Sequence, residues 1–141
     1  MNEYRFCDLM IGQAESFEVQ VTKDMEDRFR ELTGDINPLH RDDSFASDVG
    51  DGKFSGHVAF GMLTASFYST LAGVYLPGKY SLIHSLDIKF QKPVYAGDRL
   101  AVRGEVVDKQ EGLKLIRVKA VIKNDRDESV SRAEMKILVL R

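Results

Sequence analysis

Phe17, Val19 and Val21 alternate with Glu18, Gln20 and Thr22, the two-residue period of a strand with one buried face. The period then changes. Met25, Phe29 and Leu32 fall at helical spacing on one face. Thr22 is placed to cap this helix, and Asp24, Glu26 and Asp27 complement its positive end. Gly34 supplies the stop. Asn37-Pro38 interrupts regular structure, because a residue before proline avoids the helical region. Pro38 can open a new turn, and Leu39 to Ala46 reads as a short helix. Ser47 to Gly56 reads as a loop carrying three glycines.

Phe54 to Gly78 contains no Asp, Glu, Lys or Arg, a stretch long enough to cross a bilayer. It also holds His57, Ser66, Tyr68, Ser69, Thr70, four glycines and a proline. A lone span would leave two polar halves, each too small for a core. The segment therefore reads as a helix over Ala59 to Val74, buried in protein rather than lipid and ended by Leu76-Pro77-Gly78.

Strand alternation returns for the rest of the chain. Leu86, Ile88 and Phe90 form one apolar face, joined in register by Leu82 and His84. Leu100, Val102 and Val106 form a second, and Ile116, Val118, Ala120 and Ile122 a third. Ala133, Met135, Ile137 and Val139 close the chain. Ala96-Gly97-Asp98, Gln110-Glu111-Gly112 and Asn124 to Asp127 are turn material. The sum is an α+β chain: one buried helix and a largely antiparallel sheet, packed most simply by curling the sheet around the helix.

Composition narrows the classes. A chain of 141 residues suits one domain. Hydrophobic residues at 43% and charged residues at 30% give an ordinary globular balance. The net charge of -2 predicts no attraction to nucleic acid or to anionic membranes. The single cysteine, Cys7, excludes an intramolecular disulfide and a cysteine-based zinc site. Met1 to Gln20 carries Glu3, Asp8, Glu15 and Glu18 without an apolar core, so it is not a signal peptide. A cytoplasmic location is the expectation.

The chemistry concentrates at Gly34-Asp35-Ile36-Asn37-Pro38-Leu39-His40. In a straight strand Asp35 and His40 would face opposite sides; across a proline-stiffened turn they can converge. A carboxylate and an imidazole on one water make an acid-base pair. Asn37 can orient that water or a neighbouring side chain. The same residues are also ordinary turn chemistry, since Asp and Asn bond their own backbone. The three histidines, His40, His57 and His84, do not have metal-ligand spacing, and no metal or cofactor is expected. His57 reads as a loop residue and His84 as a satisfied core residue.

Residues 29 to 46 run Phe-Arg-Glu-Leu-Thr-Gly-Asp-Ile-Asn-Pro-Leu-His-Arg-Asp-Asp-Ser-Phe-Ala. This stretch resembles the hydratase motif of the MaoC-like family, which includes the (R)-specific enoyl-CoA hydratases. The shared pattern is an aromatic, a Leu-Ser/Thr-Gly-Asp-x-Asn-Pro-x-His core, an acidic residue and Phe-Ala. The similarity continues through Gly61-Met62-Leu63-Thr64-Ala65-Ser66 and through Phe90 to Asp98, in family order.

The resemblance implies a hot-dog fold over residues 1–141, with a curved antiparallel sheet wrapped around a long central helix, and a homodimer. It implies Asp35 and His40 as the catalytic pair, with Asn37 and Ser66 in support. The backbone N–H near Gly61, at the start of the central helix, is placed to stabilise the thioester oxygen. Phe60 and Met62, flanking it, are expected against the substrate. The family commonly has His, sometimes Tyr, where this chain has Phe60, so the substrate end is where the chain departs from its relatives.

The implied activity is reversible hydration of trans-2-enoyl thioesters to (R)-3-hydroxyacyl thioesters, carried on CoA or acyl carrier protein. Two alternatives stand beside it. A thioesterase of the same superfamily would use a carboxylate on the central helix, and residues 54 to 78 have none. A non-catalytic acyl-binding module would not need Asp35 and His40.

Overall fold

The computed structural model describes residues 1–141 and turns the alternating segments into five strands. These are β1 (Ala14–Gln20), β2 (Ser81–Phe90), β3 (Arg99–Gln110), β4 (Leu115–Asn124) and β5 (Ser129–Val139). They form one antiparallel sheet in the order β1-β3-β4-β5-β2. Three helices accompany it: α1 (Lys23–Thr33), α2 (Asp43–Val49) and α3 (Gly61–Thr70). The sheet curls around α3, which is the hot-dog arrangement.

Helix α3 starts two residues later than its pattern suggests and continues through a π-helical turn, Leu71–Tyr75. Leu63, Phe67, Tyr68 and Leu71 are buried in one core with Leu100, Val102, Val118, Met135 and Ile137 from the sheet. Full burial of each such side chain contributes about 1.5–3 kcal/mol. Gly104 lets helix and sheet meet, because a Cβ there would stand 2.7 Å from Leu71 Cδ2. Buried Tyr68 finds a partner in the Ser131 hydroxyl at 2.8 Å. Burial pushes its phenol pKa up, with the Ser131 hydrogen bond opposing. No helix is long and apolar enough to cross a membrane.

Two apolar stripes differ from their sequence reading. In α1 the buried position is Glu26, 1% exposed, whereas Leu32 is 84% exposed. At 3.6 residues per turn, Glu26 lies about 60° from Phe29 on the side away from Leu32. The core therefore lies towards Phe29 and Glu26, and Leu32 falls on the flank. In β2 a bulge between Ile83 and Ser85 shifts the register at His84. Ile83 turns to the core, while Leu82 and His84 are exposed, so His84 is not a core histidine.

Beyond the bulge, Leu86, Ile88 and Phe90 pair with buried Met135, Ala133 and Ser131, and so share the inner face. Leu86 and Phe90 nevertheless remain exposed, because β2 is an edge strand.

The second helix also moves along the chain. Pro38–His40 forms a single 3-10 turn, and α2 begins at Asp43, capped by the Asp42 carboxylate accepting from the Phe45 N–H. The helix thus occupies residues that glycine content had suggested were loop.

Candidate active site

Gly34 ends α1 in the left-handed conformation, φ 72°, and its N–H donates to the Arg30 carbonyl. The loop that follows is built from side chains folded onto their own backbone. The Asp35 carboxylate accepts from the Asn37 N–H at 3.1 Å, and the Asn37 side chain accepts from the Leu39 N–H at 3.0 Å. Both side chains are exposed. Asp35 spends only Oδ1 on the turn, which leaves Oδ2 free.

His40 is held more firmly. Its Nδ1 lies 2.8 Å from the Val58 carbonyl. A carbonyl only accepts, so Nδ1 carries the hydrogen and the neutral ring presents Nε2 as a proton acceptor. The Val58 N–H in turn donates to the Leu39 carbonyl at 3.1 Å, so two backbone segments clasp at this point. The Phe60 ring packs against the imidazole with centroids 4.2 Å apart, and Phe29 packs behind Phe60 at 5.1 Å.

His40 opens onto a cavity of about 320 Å³. Gly61, Thr64, Phe90, Lys92, Val94 and Val130 are among its other walls. His40 and Lys92 are the ionisable side chains in that lining. At the rim Lys92 binds Glu128 at 2.7 Å. Hydrogen bonds from Lys92 first, then Asn124, hold the Glu128 carboxyl down at about 2.

Helix α3 points its N-terminus at this space. The N–H groups of Gly61 and Met62 have no hydrogen-bond partner, and the helix dipole places partial positive charge there. Gly61 also makes room, since a Cβ would sit 3.3 Å from the Phe90 ring. A small apolar pocket with one imidazole and a free helix N-terminus can hold an acyl group, stabilise negative charge on an oxygen and exchange a proton.

The structure thus brings His40 and Gly61 together in one cavity. Asp35 and Asn37 stand on the same loop as His40 but outside the lining. Ser66 does not reach it either: its hydroxyl donates to the Leu63 carbonyl at 2.6 Å, back onto its own helix. Phe60 is 2% exposed and supports His40 from behind instead of facing the cavity, and Met62 is 64% exposed on the outer side of α3. Sequence reasoning did not single out Thr64, Val94, Val130 or the Val58 carbonyl. Thr64 and Val94 lie within the two similar segments, Val130 looks like any strand residue, and a backbone carbonyl leaves no sequence signal.

Known proteins share this fold. The MaoC like domain matches residues 10–127. A 3-hydroxybutyryl-CoA dehydratase of Methylorubrum extorquens is 33% identical over 103 residues, 73% of this chain and 64% of that protein. An (R)-specific enoyl-CoA hydratase of Aeromonas caviae is 39% identical over 83 residues, 59% of this chain and 60% of that protein. The matches therefore span under two thirds of these curated relatives. Among solved structures, the (R)-hydratase from A. caviae superposes with a TM-score of 0.85 at 28% identity, covering 93% of this chain and 97% of that one. An R-hydratase of Pseudomonas aeruginosa gives a TM-score of 0.86 at 26% identity, covering 96% of this chain and 84% of that one. Because the domain match takes in most of the chain, from residue 10 to residue 127, this protein belongs to the MaoC-like domain family.

Proposed function

We propose that this chain hydrates trans-2-enoyl thioesters to (R)-3-hydroxyacyl thioesters and catalyses the reverse dehydration. The carrying observation is that His40, whose Nδ1 is tied to the Val58 carbonyl, and Gly61, whose N–H is unpartnered, line one cavity. Hydration needs both. Asp35 and His40 take a proton from water as its oxygen bonds to the β-carbon. The double-bond electrons move onto the α-carbon and the thioester oxygen, where the Gly61 N–H meets the charge. The pair then returns a proton to the α-carbon. Asn37 holds the loop, and the (R) outcome follows the names of the relatives.

CoA is the proposed carrier, since the relatives named above are CoA enzymes. No added cofactor enters this chemistry. A thioesterase is less well supported, because it would use a carboxylate on the central helix and residues 54 to 78 have none. The test is crotonyl-CoA: loss of the conjugated absorbance without thiol release supports hydration. Thiol release would indicate hydrolysis, and neither change would leave an acyl-binding module.

The exposed inner-face residues Leu86 and Phe90 on the β2 edge are apolar surface of the kind a partner covers. A second copy of this chain is the proposed partner. The exposed free Cys7 fits a reducing cytoplasm.

A further inference from the structure

Glu26 is the least expected residue in the core. It is 1% exposed, and its Oε1 is buried without a hydrogen-bond partner. A buried polar atom without a partner is rare in a native core, and apolar replacement of a buried ion pair is often neutral or stabilising. Its other oxygen, Oε2, faces His57 Nε2 at 3.5 Å. On the far side of that ring, Nδ1 lies 2.6 Å from Asp43 Oδ1, which also accepts from the His57 backbone N–H at 2.8 Å. The His57 side chain therefore bridges α1 to the first residue of α2.

The bridge ends one residue from the catalytic clasp. Val58 follows His57, and its carbonyl holds His40 Nδ1. Helix α1 thus grips the segment 57–60 twice. Glu26 meets His57, and one turn later Phe29 meets Phe60, whose ring backs His40. Asp43, three residues past His40, closes the ring of contacts.

We infer that Glu26, His57 and Asp43 form a positioning bridge that holds the Val58 carbonyl on His40 Nδ1 and so fixes the tautomer His40 presents to the cavity. None of the three lines the cavity. The bridge acts through His40, and its catalytic consequence rests on the hydratase reading above.

The chain has three histidines, so nitrogen-15 NMR of the rings can follow each one. His84→Ala and His57→Ala assign the signals by elimination. In the parent protein His40 is expected as a single tautomer with hydrogen on Nδ1. In His57→Ala, and in Glu26→Leu, the His40 signals are expected to shift towards a mixture of tautomers. Turnover of crotonyl-CoA should fall about 10-fold with little change in KM, less than the about 100-fold of an ångström-scale misplacement. Glu26→Gln, which keeps a polar group of the same shape facing the imidazole, should recover most of the rate lost in Glu26→Leu. Glu26→Leu fills the site with an apolar side chain and keeps the test available if His57→Ala does not fold. Unchanged His40 signals in a folded bridge variant would overturn the inference. A tautomer change in a protein that never hydrates crotonyl-CoA would uphold the bridge and overturn the hydratase reading instead.

Discussion

His40 donates Nδ1–H to the Val58 carbonyl, 2.8 Å away and eighteen residues along the chain. That bond decides which ring nitrogen is left free to accept a proton. Replacing the imidazole should therefore remove proton exchange rather than substrate binding. His40→Ala is expected to cut turnover at least about 100-fold, the low end for losing an acid-base group. Asp35→Asn is the cleaner partner test. The amide oxygen can still accept from the Asn37 N–H and keep the turn, while the charge is lost. A similar fall is expected in crotonyl-CoA hydration. A folded Asp35→Asn protein with near-normal turnover would remove Asp35 from the mechanism.

Phe60 lies between Phe29 and His40, 2% exposed. Truncating a buried phenylalanine costs about 3–5 kcal/mol, from lost burial and the cavity left behind. Phe60→Ala should lower the urea midpoint accordingly and also slow turnover, because the His40 ring loses its backing. Phe60→Leu, filling more of the space, should fall between. A midpoint unchanged in Phe60→Ala would show that the ring is not part of the packed core.

Much of this was legible in the sequence, for particular reasons. The period-two segments became strands because alternating residues must divide between two faces. The Thr22 cap and Gly34 stop bounded α1 because each satisfies a backbone group the helix leaves open. The loop from Asp35 to His40 was visible because side-chain-to-backbone turns need those residue types. What was not legible depends on pairing through space. The bulge at His84 arises from the register of β2 on β5 and reverses Leu82 and Ile83. Glu26 looked like a charge on a helix N-terminus, because its partner His57 is thirty-one positions away. Ser66 is expected in support of the catalytic pair, and only its bond to Leu63 shows the hydroxyl turned back onto its own helix.

Acid should expose the rim of the cavity. Glu128 sits at about 2 against an ordinary 4.5, held there by Lys92 first and Asn124 second. The folded value lies below the unfolded one, so its stabilising contribution is present above pH 4.5 and fades as pH falls towards 2. Glu128→Gln lacks that contribution at every pH. Melting temperatures of the two proteins should differ most above pH 4.5 and converge on acidification through this window. A gap that stays constant down to pH 2 would mean the pair carries no linkage.

Leu86 and Phe90 face inward from an edge strand yet remain exposed. If a second copy covers them, a charge there must be desolvated on association, which is costly without a partner. Leu86→Glu is expected to convert a dimer into a monomer by light scattering at micromolar protein, with the far-ultraviolet spectrum retained. A parent protein that scatters as a monomer would end the homodimer proposal directly.

Gly61 offers a way to delete a backbone donor. Its N–H opens α3 and has no partner, so nothing in the fold depends on that hydrogen. Proline is tolerated at the first helical position, where the missing N–H costs the helix nothing. The preceding residue must be extended, and Phe60 already is, with φ -59° and ψ 123°. Gly61→Pro should therefore fold while losing the group proposed to meet the thioester oxygen. Any proline also brings a Cβ within 3.3 Å of the Phe90 ring, so Gly61→Ala is the matched control for crowding. The Phe90 ring is 52% exposed and has room to give. Removing an oxyanion donor costs about 100-fold in turnover. Gly61→Pro is expected to fall by that order below Gly61→Ala, with circular dichroism confirming that both fold. Equal turnover in the two variants would show that crowding, not the donor, accounts for any loss, and the oxyanion role would pass from the Gly61 N–H to another group.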